Sequence, residues 1–517
     1  MVRARSGSVI VQLITVLLLC VLTPCRGFTS EPVSGKANTK GILRQQQRPF
    51  GFSESGVRSA ARALQAKNNN NNNSDEKMDS SSSWLLGLCL PLWFAYVSNQ
   101  WSRSSIYYLV DFSGAGTAYR AMNVDIGFDQ SQYGVLASVA FTTLFAVASL
   151  GAGVASDRYD RKTLTVASVA AWGVATLGTA LSTSYSQVLL WRVAMGLACA
   201  FSTPTAYTLI QERVPSQQAS LASSLYGTGV ALGGALASLS ILLDTQLGWR
   251  NALVCIAVFA FGSSALNLLV LPTDPKTKAT ASVATKNDND SSVLTEVLEV
   301  VSTARVQWLF LGSFLRFCSG LMIGVWSAPY FRQVFPDNQA DYAVSQALIT
   351  AVCGVVSGLV GGVLADWVSS RVSNDDDKDA VGPKLWIPVV GSVLAAPAWY
   401  LAVHSDISFQ LAMVWLAVEY LVAECWFGPT ISVLQSTVGS KIGGTAQGLF
   451  TVTGAIGNLA PTVLGFLYSS QAGGGASTDL ANLLSIGVCG GYLSSAACFA
   501  VSALSPPPPA PKTTKTQ

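Results

Sequence analysis

The stretch Gly153-Val-Ala-Ser-Asp157-Arg-Tyr-Asp-Arg161-Lys joins two long apolar segments, and Gly362-Val-Leu-Ala-Asp366-Trp-Val-Ser-Ser-Arg371 joins two others in the second half of the chain. Both place an aspartate four residues after a glycine and end on a basic residue. A glycine near a helix end lets two helices approach closely, and an aspartate beside arginines can bind a helix end or its own neighbours. Two copies in equivalent places indicate an internal duplication.

On either side of these stretches, apolar segments of about 18 to 28 residues recur, each able to cross ~30 Å of hydrocarbon at ~1.5 Å per residue. They predict an all-α membrane protein with twelve transmembrane spans in two pseudo-symmetric six-helix bundles, 84–271 and 306–504. The linker, 272–305, contains an apolar pattern at helical spacing that predicts an amphipathic helix. We number the spans 1 to 12, predicted at 84–111, 133–155, 164–181, 188–210, 221–243, 252–271, 308–330, 343–365, 385–402, 409–434, 446–468 and 480–504.

Composition excludes several classes of protein. Only 11% of the residues are charged, against ~25% in soluble domains, and the net charge of +3 gives no reason to expect a nucleic-acid partner. The ten cysteines form no CxxC pair and His404 is the only histidine, so we expect no metal, no cofactor and no Ser-His-Asp or Cys-His catalytic group.

Basic residues of the loops predict the orientation. They concentrate on the side of the two bundle ends and the linker, which we call the linker side, whereas Arg120, Arg250 and Arg332 are the basic residues of the opposite side. Because Lys and Arg are retained on the inserting side, the linker side should face the cytosol or its topological equivalent.

The first 83 residues differ from the bundles. Residues 1–27 have the pattern of a signal peptide, and residues 28–83 are a basic, acid-poor leader with an asparagine run and serines. The leader resembles the second part of the presequence that carries proteins into complex plastids of algae, which would place the protein in a plastid envelope. The alternative is an ordinary secretory signal with a disordered tail, and a secretory-pathway or plasma membrane. Residues 505–517 form a Pro-rich tail.

The first quoted stretch resembles the G-x-x-x-D-[RK]-x-G-x-[RK]-[RK] motif of the major facilitator superfamily, shortened by one residue and with Asp160 where glycine is usual. Together with the six-plus-six layout, the resemblance covers roughly residues 84–504. It implies alternating access of two halves, in which these loops latch one conformation. The residues that would form the latch are Gly153, Asp157, Arg158, Arg161, Gly362 and Asp366. The alternative is a basic loop that only sets the topology.

Within the superfamily, the segments 99–105, 157–162, 426–429 and 457–465 look most like spinster-like transporters, with the anion:cation symporter branch next nearest. Known spinster relatives carry lysophospholipids or sphingoid lipids, and the symporter branch carries phosphate and organic anions. Both branches usually have acids where this chain has Ser102 and Cys199. Coupling to a proton would therefore use Glu419 or Glu424, unless transport is uncoupled.

Charged side chains in mid-membrane cost ~2.5–3.5 kcal/mol on insertion scales and are rarely kept without a task. Those inside the predicted spans lie on spans 1, 4, 7 and 10, the helices that the resemblance implies line a central cavity. Three arginines against two glutamates favour an organic or lysolipid-like anion. The alternative for Arg316 and Glu419 is a purely structural ion pair. The predicted cavity residues are Arg103, Arg192, Arg316, Glu419, Glu424, Asn99, Trp326 and Trp426.

Three functions fit these observations to different degrees. We expect a monomeric transporter that moves a small organic solute across the bilayer. A transporter-shaped receptor or scaffold, which binds a solute without moving it, is the second hypothesis. A membrane enzyme is a distant third, because no set of nucleophile and base supports it.

Overall fold

The computed structural model describes residues 84–113, 120–215, 218–273, 293–372, 381–405, 408–438, 443–470 and 476–506. In this part of the chain nearly every residue is helical. Eleven of its helices are long and apolar enough to cross a membrane, and they correspond to predicted spans 2 to 12. The protein is therefore an all-α membrane protein. The predicted signal peptide, the leader and most of the Pro-rich tail lie outside the described residues.

The spans begin and end close to their predicted limits. Between spans 1 and 2 lies the short helix Met122–Ile126, and the predicted linker helix is present at Val293–Val300. Its last residue, Val300, is buried in the core of the second half. Spans 1 to 12 occupy 84–107, 130–158, Arg161–Leu181, 185–213, Ala219–Leu247, Trp249–Val270, Ala304–Val334, 336–372, 382–403, 409–438, 443–470 and 476–504.

Span 1 is helical but less apolar than the others. Its helix covers residues 84–107, about 35 Å at 1.5 Å per residue, which is long enough to cross the hydrocarbon. The polar run from Ser98 to Arg103 lowers its hydropathy. This run contributes Gln100 and Arg103 to the wall of a central cavity.

Packing repeats in the two halves. In the first half span 3 packs on spans 4 and 6, and span 1 on span 5; in the second half span 9 packs on spans 10 and 12, and span 7 on span 11. The halves meet where span 2 packs on span 11 and span 5 on span 8. These two contacts are equivalent under a two-fold exchange of the halves, as an internal duplication requires.

Prolines interrupt three spans. The helices break at residues 200–201 in span 4, at Glu424–Trp426 in span 10 and at residue 458 in span 11. Pro204, Pro429 and Pro461 follow these breaks. Proline lacks the N–H that would bond to the carbonyl four residues earlier, and its ring clashes with that carbonyl. Proline therefore accounts for these three breaks, whereas the helices of spans 7 and 9 continue through Pro329 and Pro397.

Candidate functional site

A cavity of about 400 Å³ lies between the two halves, within the roughly 300–1,000 Å³ typical of small-ligand sites. Spans 1, 2, 5, 7, 10 and 11 form its wall, so both halves contribute. Its lining combines aromatic rings, amides, hydroxyls and one arginine. The lining residues are Tyr96, Gln100, Arg103, Phe141, Thr142, Phe145, Val230, Phe317, Leu321, Phe427, Gln447, Phe450, Thr451, Gly454, Ala455 and Asn458.

A second space of about 230 Å³ continues this cavity toward the linker side. The two spaces share Phe145, Thr451 and Ala455. The remaining wall of the second space includes Ser149 and Gly448, which lie in the linker-side halves of spans 2 and 11. The cavity therefore leads to the linker side.

Hydrogen bonds between spans close the opposite side. The Tyr133 hydroxyl of span 2 donates to the carbonyl of Val325 in span 7 (2.7 Å). That carbonyl is free to accept because Pro329, four residues later, has no N–H. Within the second half, the Trp326 indole donates to the carbonyl of Pro461 (2.9 Å) and stands edge-on against the Tyr133 ring.

Two glycines let spans 2 and 11 touch at this seal. A Cβ on Gly465 would lie 2.8 Å from the carbonyl oxygen of Gln130, and one on Gly134 would lie 3.2 Å from that of Pro461. The Thr462 hydroxyl donates to the Gly134 carbonyl (2.9 Å). The backbones thus meet without an intervening side chain.

Arg332, at the opposite-side end of span 7, holds the halves together. Its side chain is 1% exposed and forms what we call the Arg332 cluster. The partners, all but Gln339 from the first half, are the carbonyls of Tyr108 and Val110 (both 2.9 Å), the Gln339 amide (3.0 Å), and the carboxylates of Asp111 (3.6 Å) and Asp244 (3.7 Å).

Sequence reasoning missed this cluster. Arg332 was predicted to be a loop residue, and span 5 was predicted to end at Leu243, before Asp244. The helix instead continues to Leu247, so Asp244 lies inside it, and charge is not restricted to spans 1, 4, 7 and 10. The sequence did contain a signal for the cluster. Asp111, Asp244 and Arg332 lie at the ends of three predicted spans, all on the side that has few basic residues.

Arg103 is the one predicted cavity arginine that lines the central cavity. Its guanidinium carbon lies 5.0 Å from the centre of the Phe141 ring. Among the described residues, the guanidinium has no hydrogen-bond or ion-pair partner, and its Nε is buried without an acceptor. It is therefore a cation that faces the cavity without a protein anion.

Arg192 lies behind Arg103 and outside the cavity. It is 2% exposed and donates to the carbonyls of Leu136 and Arg103, both at 3.0 Å. It therefore fixes the backbone that carries Arg103. Asn99 is buried on the same span as Arg103, and it too lies outside the cavity lining.

Arg316 is buried in the second half. It donates to the carbonyl of Ala423 (2.9 Å) and forms an ion pair with Glu424 (3.2 Å). The sequence suggested Glu419 as its partner on span 10. Glu424, the first residue of the break, is the carboxylate that reaches Arg316, whereas Glu419 accepts a hydrogen bond from Tyr492.

Glu419 interacts with the Arg316 guanidinium indirectly, through Tyr492. Its carboxylate accepts from the Tyr492 hydroxyl, and the Tyr492 ring lies 4.8 Å from the Arg316 guanidinium. Glu419 is buried, whereas the Glu424 side chain is 41% exposed. The second half therefore holds a group of one arginine and two carboxylates that is not part of the cavity lining.

The two predicted tryptophans lie next to the cavity. Trp326 belongs to the opposite-side seal. Trp426 packs beneath the wall, edge-on to Phe317 at 5.0 Å between ring centres. Trp326 therefore stabilises the seal at one end of the cavity, and Trp426 supports Phe317 in its wall.

The first of the two repeated stretches, 153–162, binds the end of span 4. Arg161 donates to the Ser156 carbonyl (2.9 Å) and pairs with Glu212 (2.5 Å). Asp160, at the position where glycine is usual, caps span 3 by accepting from the Thr163 backbone N–H (2.9 Å). Gly153, Asp157 and Arg158 belong to span 2, and their side-chain surroundings lie outside the described part of the chain.

The second stretch lies at the end of span 8. A Cβ on Gly428 would be 3.9 Å from the Cα of Gly362, so spans 8 and 10 approach closely there. Asp366 is exposed.

The chain is similar in sequence to a known protein family and to known transporters. A family model described as Major Facilitator Superfamily matches residues 84–462. The probable sulfoacetate transporter SauU of Cupriavidus necator is 24% identical over 74% of this chain and 85% of its own length. The 4-hydroxybenzoate transporter PcaK of Pseudomonas aeruginosa is 32% identical over 28% of this chain and 32% of its own length.

Among solved structures, a bacterial homologue of the human lysosomal transporter Spinster, in an inward-facing and unoccupied conformation, superposes with a TM-score of 0.62. It is 19% identical, and the match covers 80% of this chain and 95% of that one. At this identity the match shows the fold. These relatives and neighbours are transporters and not enzymes.

Proposed function

This chain belongs to the Major Facilitator Superfamily, and we propose that it carries a small organic anion across a membrane by alternating access of its two six-helix halves. Alternating access requires a central site that is open to one side and closed to the other. The cavity between the halves has this form, since it leads to the linker side and is sealed at the opposite side.

The environment of Arg103 is the main reason to propose an anionic substrate. Its guanidinium faces the cavity, and no described residue pairs with it. A cation in a site partly shielded from water attracts anions more strongly than one in bulk water. The names of two relatives agree with this charge, because sulfoacetate and 4-hydroxybenzoate are both organic anions.

Counterflow of radiolabelled organic anions in proteoliposomes tests the proposal. We expect saturable exchange by the full chain and its loss in Arg103→Gln. Arg120→Gln is the matched control, because Arg120 is exposed in an opposite-side loop. Specific binding with no flux in either direction would instead support a receptor or scaffold.

Glu419 is our candidate for a coupling site. It is a buried carboxylate whose described hydrogen bond comes from Tyr492, close to Arg316. If it carries a coupling proton, a pH gradient drives uphill uptake and Glu419→Gln abolishes only that uptake, leaving exchange at equal pH. Equal effects of the variant on both would mean that Glu419 does not couple transport to protons.

We propose further that the membrane that contains this protein is a plastid envelope. The basic leader, residues 28–83, supports delivery to the envelope of a complex plastid, where the chain would work as a monomer because its cavity is complete within one copy. A fluorescent fusion of residues 1–83, expressed in an alga of this type, should reach the plastid. The same fusion without residues 28–83 should remain in the secretory pathway, and plastid delivery of both would refute a role for the leader.

A further inference from the structure

Three polar atoms of the central cavity are buried without a hydrogen-bond partner: Nε of Arg103, Oγ1 of Thr142 and Oε1 of Gln100. Buried polar groups are almost always hydrogen-bonded, so unsatisfied ones need an explanation. Arg103 and Gln100 lie on span 1, and Thr142 lies on span 2. All three side chains line the same space.

Thr142 differs from its neighbour in a way that points to a ligand. The Thr143 hydroxyl, exposed on the far side of span 2, donates to the carbonyl four residues earlier (2.7 Å). Threonines within helices commonly make this bond. Thr142 is 6% exposed and lines the cavity, yet its hydroxyl makes no such bond.

The protein holds these groups in place. A Cβ on Gly233 of span 5 would lie 2.5 Å from Cβ of Gln100, so span 1 is packed directly on span 5 at this level. The Arg103 carbonyl accepts from Arg192, and its guanidinium lies over Phe141. The site is therefore formed before any ligand arrives.

We propose that Arg103, Thr142 and Gln100 form one polar subsite, which binds a carboxylate and a separate hydroxyl of a hydroxylated aromatic acid. Arg103 only donates hydrogen bonds and requires an anionic acceptor, to which Thr142 adds a second donor. The unsatisfied oxygen of Gln100 requires a donor, which a ligand hydroxyl supplies.

The spacing and the walls define the ligand further. Gln100 and Arg103 are three residues apart on one helix, so their Cβ atoms are about 5–6 Å apart. Two groups on opposite sides of an aromatic ring match this spacing better than the adjacent groups of an α-hydroxy acid do. Flat faces are available for the ring, because Phe141, Phe317 and Phe450 line the same cavity.

This inference rests on the proposed function but concerns only the binding step, so equilibrium binding to the purified full chain tests it. The probes are 4-hydroxybenzoate, benzoate, mandelate and the uncharged methyl 4-hydroxybenzoate. We expect 4-hydroxybenzoate to bind about three- to tenfold more tightly than benzoate, the ratio that one neutral hydrogen bond supplies. Mandelate should bind no better than benzoate, and the methyl ester at least tenfold more weakly than 4-hydroxybenzoate.

Each variant should remove one preference. Gln100→Leu should bring the ratio of 4-hydroxybenzoate to benzoate near one while leaving benzoate binding within twofold. Thr142→Val should weaken both acids alike, and Arg103→Gln should remove the preference for the acids over the ester. Gln410→Leu and Thr143→Val are controls, because both residues are exposed outside the cavity.

An unchanged ratio in Gln100→Leu, or undiminished acid binding in Arg103→Gln, would overturn the subsite. Transport of other organic anions without binding of these acids would overturn the subsite and leave the proposed function standing. Binding with the expected preferences but without flux would refute transport and keep the subsite. Monodisperse elution of every variant in detergent shows that a loss of binding is not a loss of folding.

Discussion

Arg192, Arg316 and Arg332 are buried within the bundles, Arg103 is half-buried beside the cavity, and each is stabilised differently. Arg192 donates to carbonyls, Arg316 pairs with one glutamate, and Arg332 has two aspartates and two carbonyls. Arg103 has a ring face and, within the described part of the chain, no anion. A half-buried charge without a partner is costly, so it is retained where a mobile partner, the substrate, supplies the missing charge.

Replacing Arg316 by lysine should lower the stability of the protein. A planar guanidinium contacts the Ala423 carbonyl, Glu424 and the rings of Trp426 and Tyr492 together, which a single ammonium cannot reproduce. Loss of the hydrogen bonds to a charged group costs about 1.5–3 kcal/mol. Thermal unfolding in detergent should show a midpoint lower by several degrees.

Arg371→Lys is the matched control for this change. Arg371 also lies over a tryptophan, Trp367 at 4.9 Å, but it is exposed at the end of span 8. Its replacement should leave the midpoint unchanged. Equal losses in the two variants would mean that the buried contacts of Arg316 contribute nothing.

The sequence predicts some of these residues and not others. Arg103 is found because a charge in mid-span is rare and conspicuous. Thr142 and Gln100 are not found, since hydroxyls and amides are common in spans and only the contacts show which are unsatisfied. Arg332 is missed because a charge at a predicted span end reads as a loop residue.

Among the helices, prolines and glycines determine where spans bend and touch. The break at Glu424–Trp426 places Cys425 against span 8, where a Cβ on Gly361 would lie 2.3 Å from the Cys425 carbonyl oxygen. Apolar length predicts the twelve spans well, because hydrocarbon thickness sets it. Apolar length does not predict which of two acids on one span pairs with Arg316, because that choice depends on side-chain contacts such as the one between Glu419 and Tyr492.

Gly465→Leu should prevent closure of the opposite side. The added side chain meets backbone atoms, the Gln130 carbonyl oxygen at 2.8 Å and the Gly134 Cα at 3.3 Å, which cannot move aside without separating spans 2 and 11. Hydrogen exchange measured by mass spectrometry should rise in residues 130–138 and 461–468. Counterflow should fall with it.

Gly262→Leu serves as the control, because a Cβ there meets nothing within 4 Å on exposed span 6. Its exchange pattern should match that of the unchanged protein. Protection of residues 130–138 that persists in Gly465→Leu would contradict the close approach.

The molecule as a whole is closed on one side by a few interactions between halves. The Arg332 cluster connects span 7 to the ends of spans 1 and 5, and the Ser238 hydroxyl of span 5 donates to the Ala343 carbonyl of span 8 (3.0 Å). These contacts must break for the opposite side to open. Their summed strength therefore sets the balance between the two states of the transporter.

Arg332→Ala should shift this balance toward opening of the opposite side. Removing one member of a buried ion pair costs about 3–5 kcal/mol, and each 1.4 kcal/mol changes a population ratio tenfold. We expect at least a tenfold rise in the exchange rate of amides around residues 108–111 and 334–339.

Arg250→Ala tests whether this effect is specific to a contact between halves. Arg250 is also an opposite-side arginine paired with an aspartate, Asp125 at 3.0 Å, but both belong to the first half. Its replacement should leave the balance unchanged. A similar shift in both variants would indicate a general electrostatic effect of that surface.

Because no described residue supplies an anion beside Arg103, the net charge of the site depends on whether substrate is bound. A monovalent anion bound there neutralises the guanidinium, so the loaded protein reorients with little net charge at the site, whereas the empty protein moves one positive charge. One charge crossing the whole potential corresponds to about 2.3 kcal/mol per 100 mV. Membrane voltage should therefore act on the return of the empty carrier, accelerating net flux at one polarity and leaving one-for-one exchange of anions unaffected.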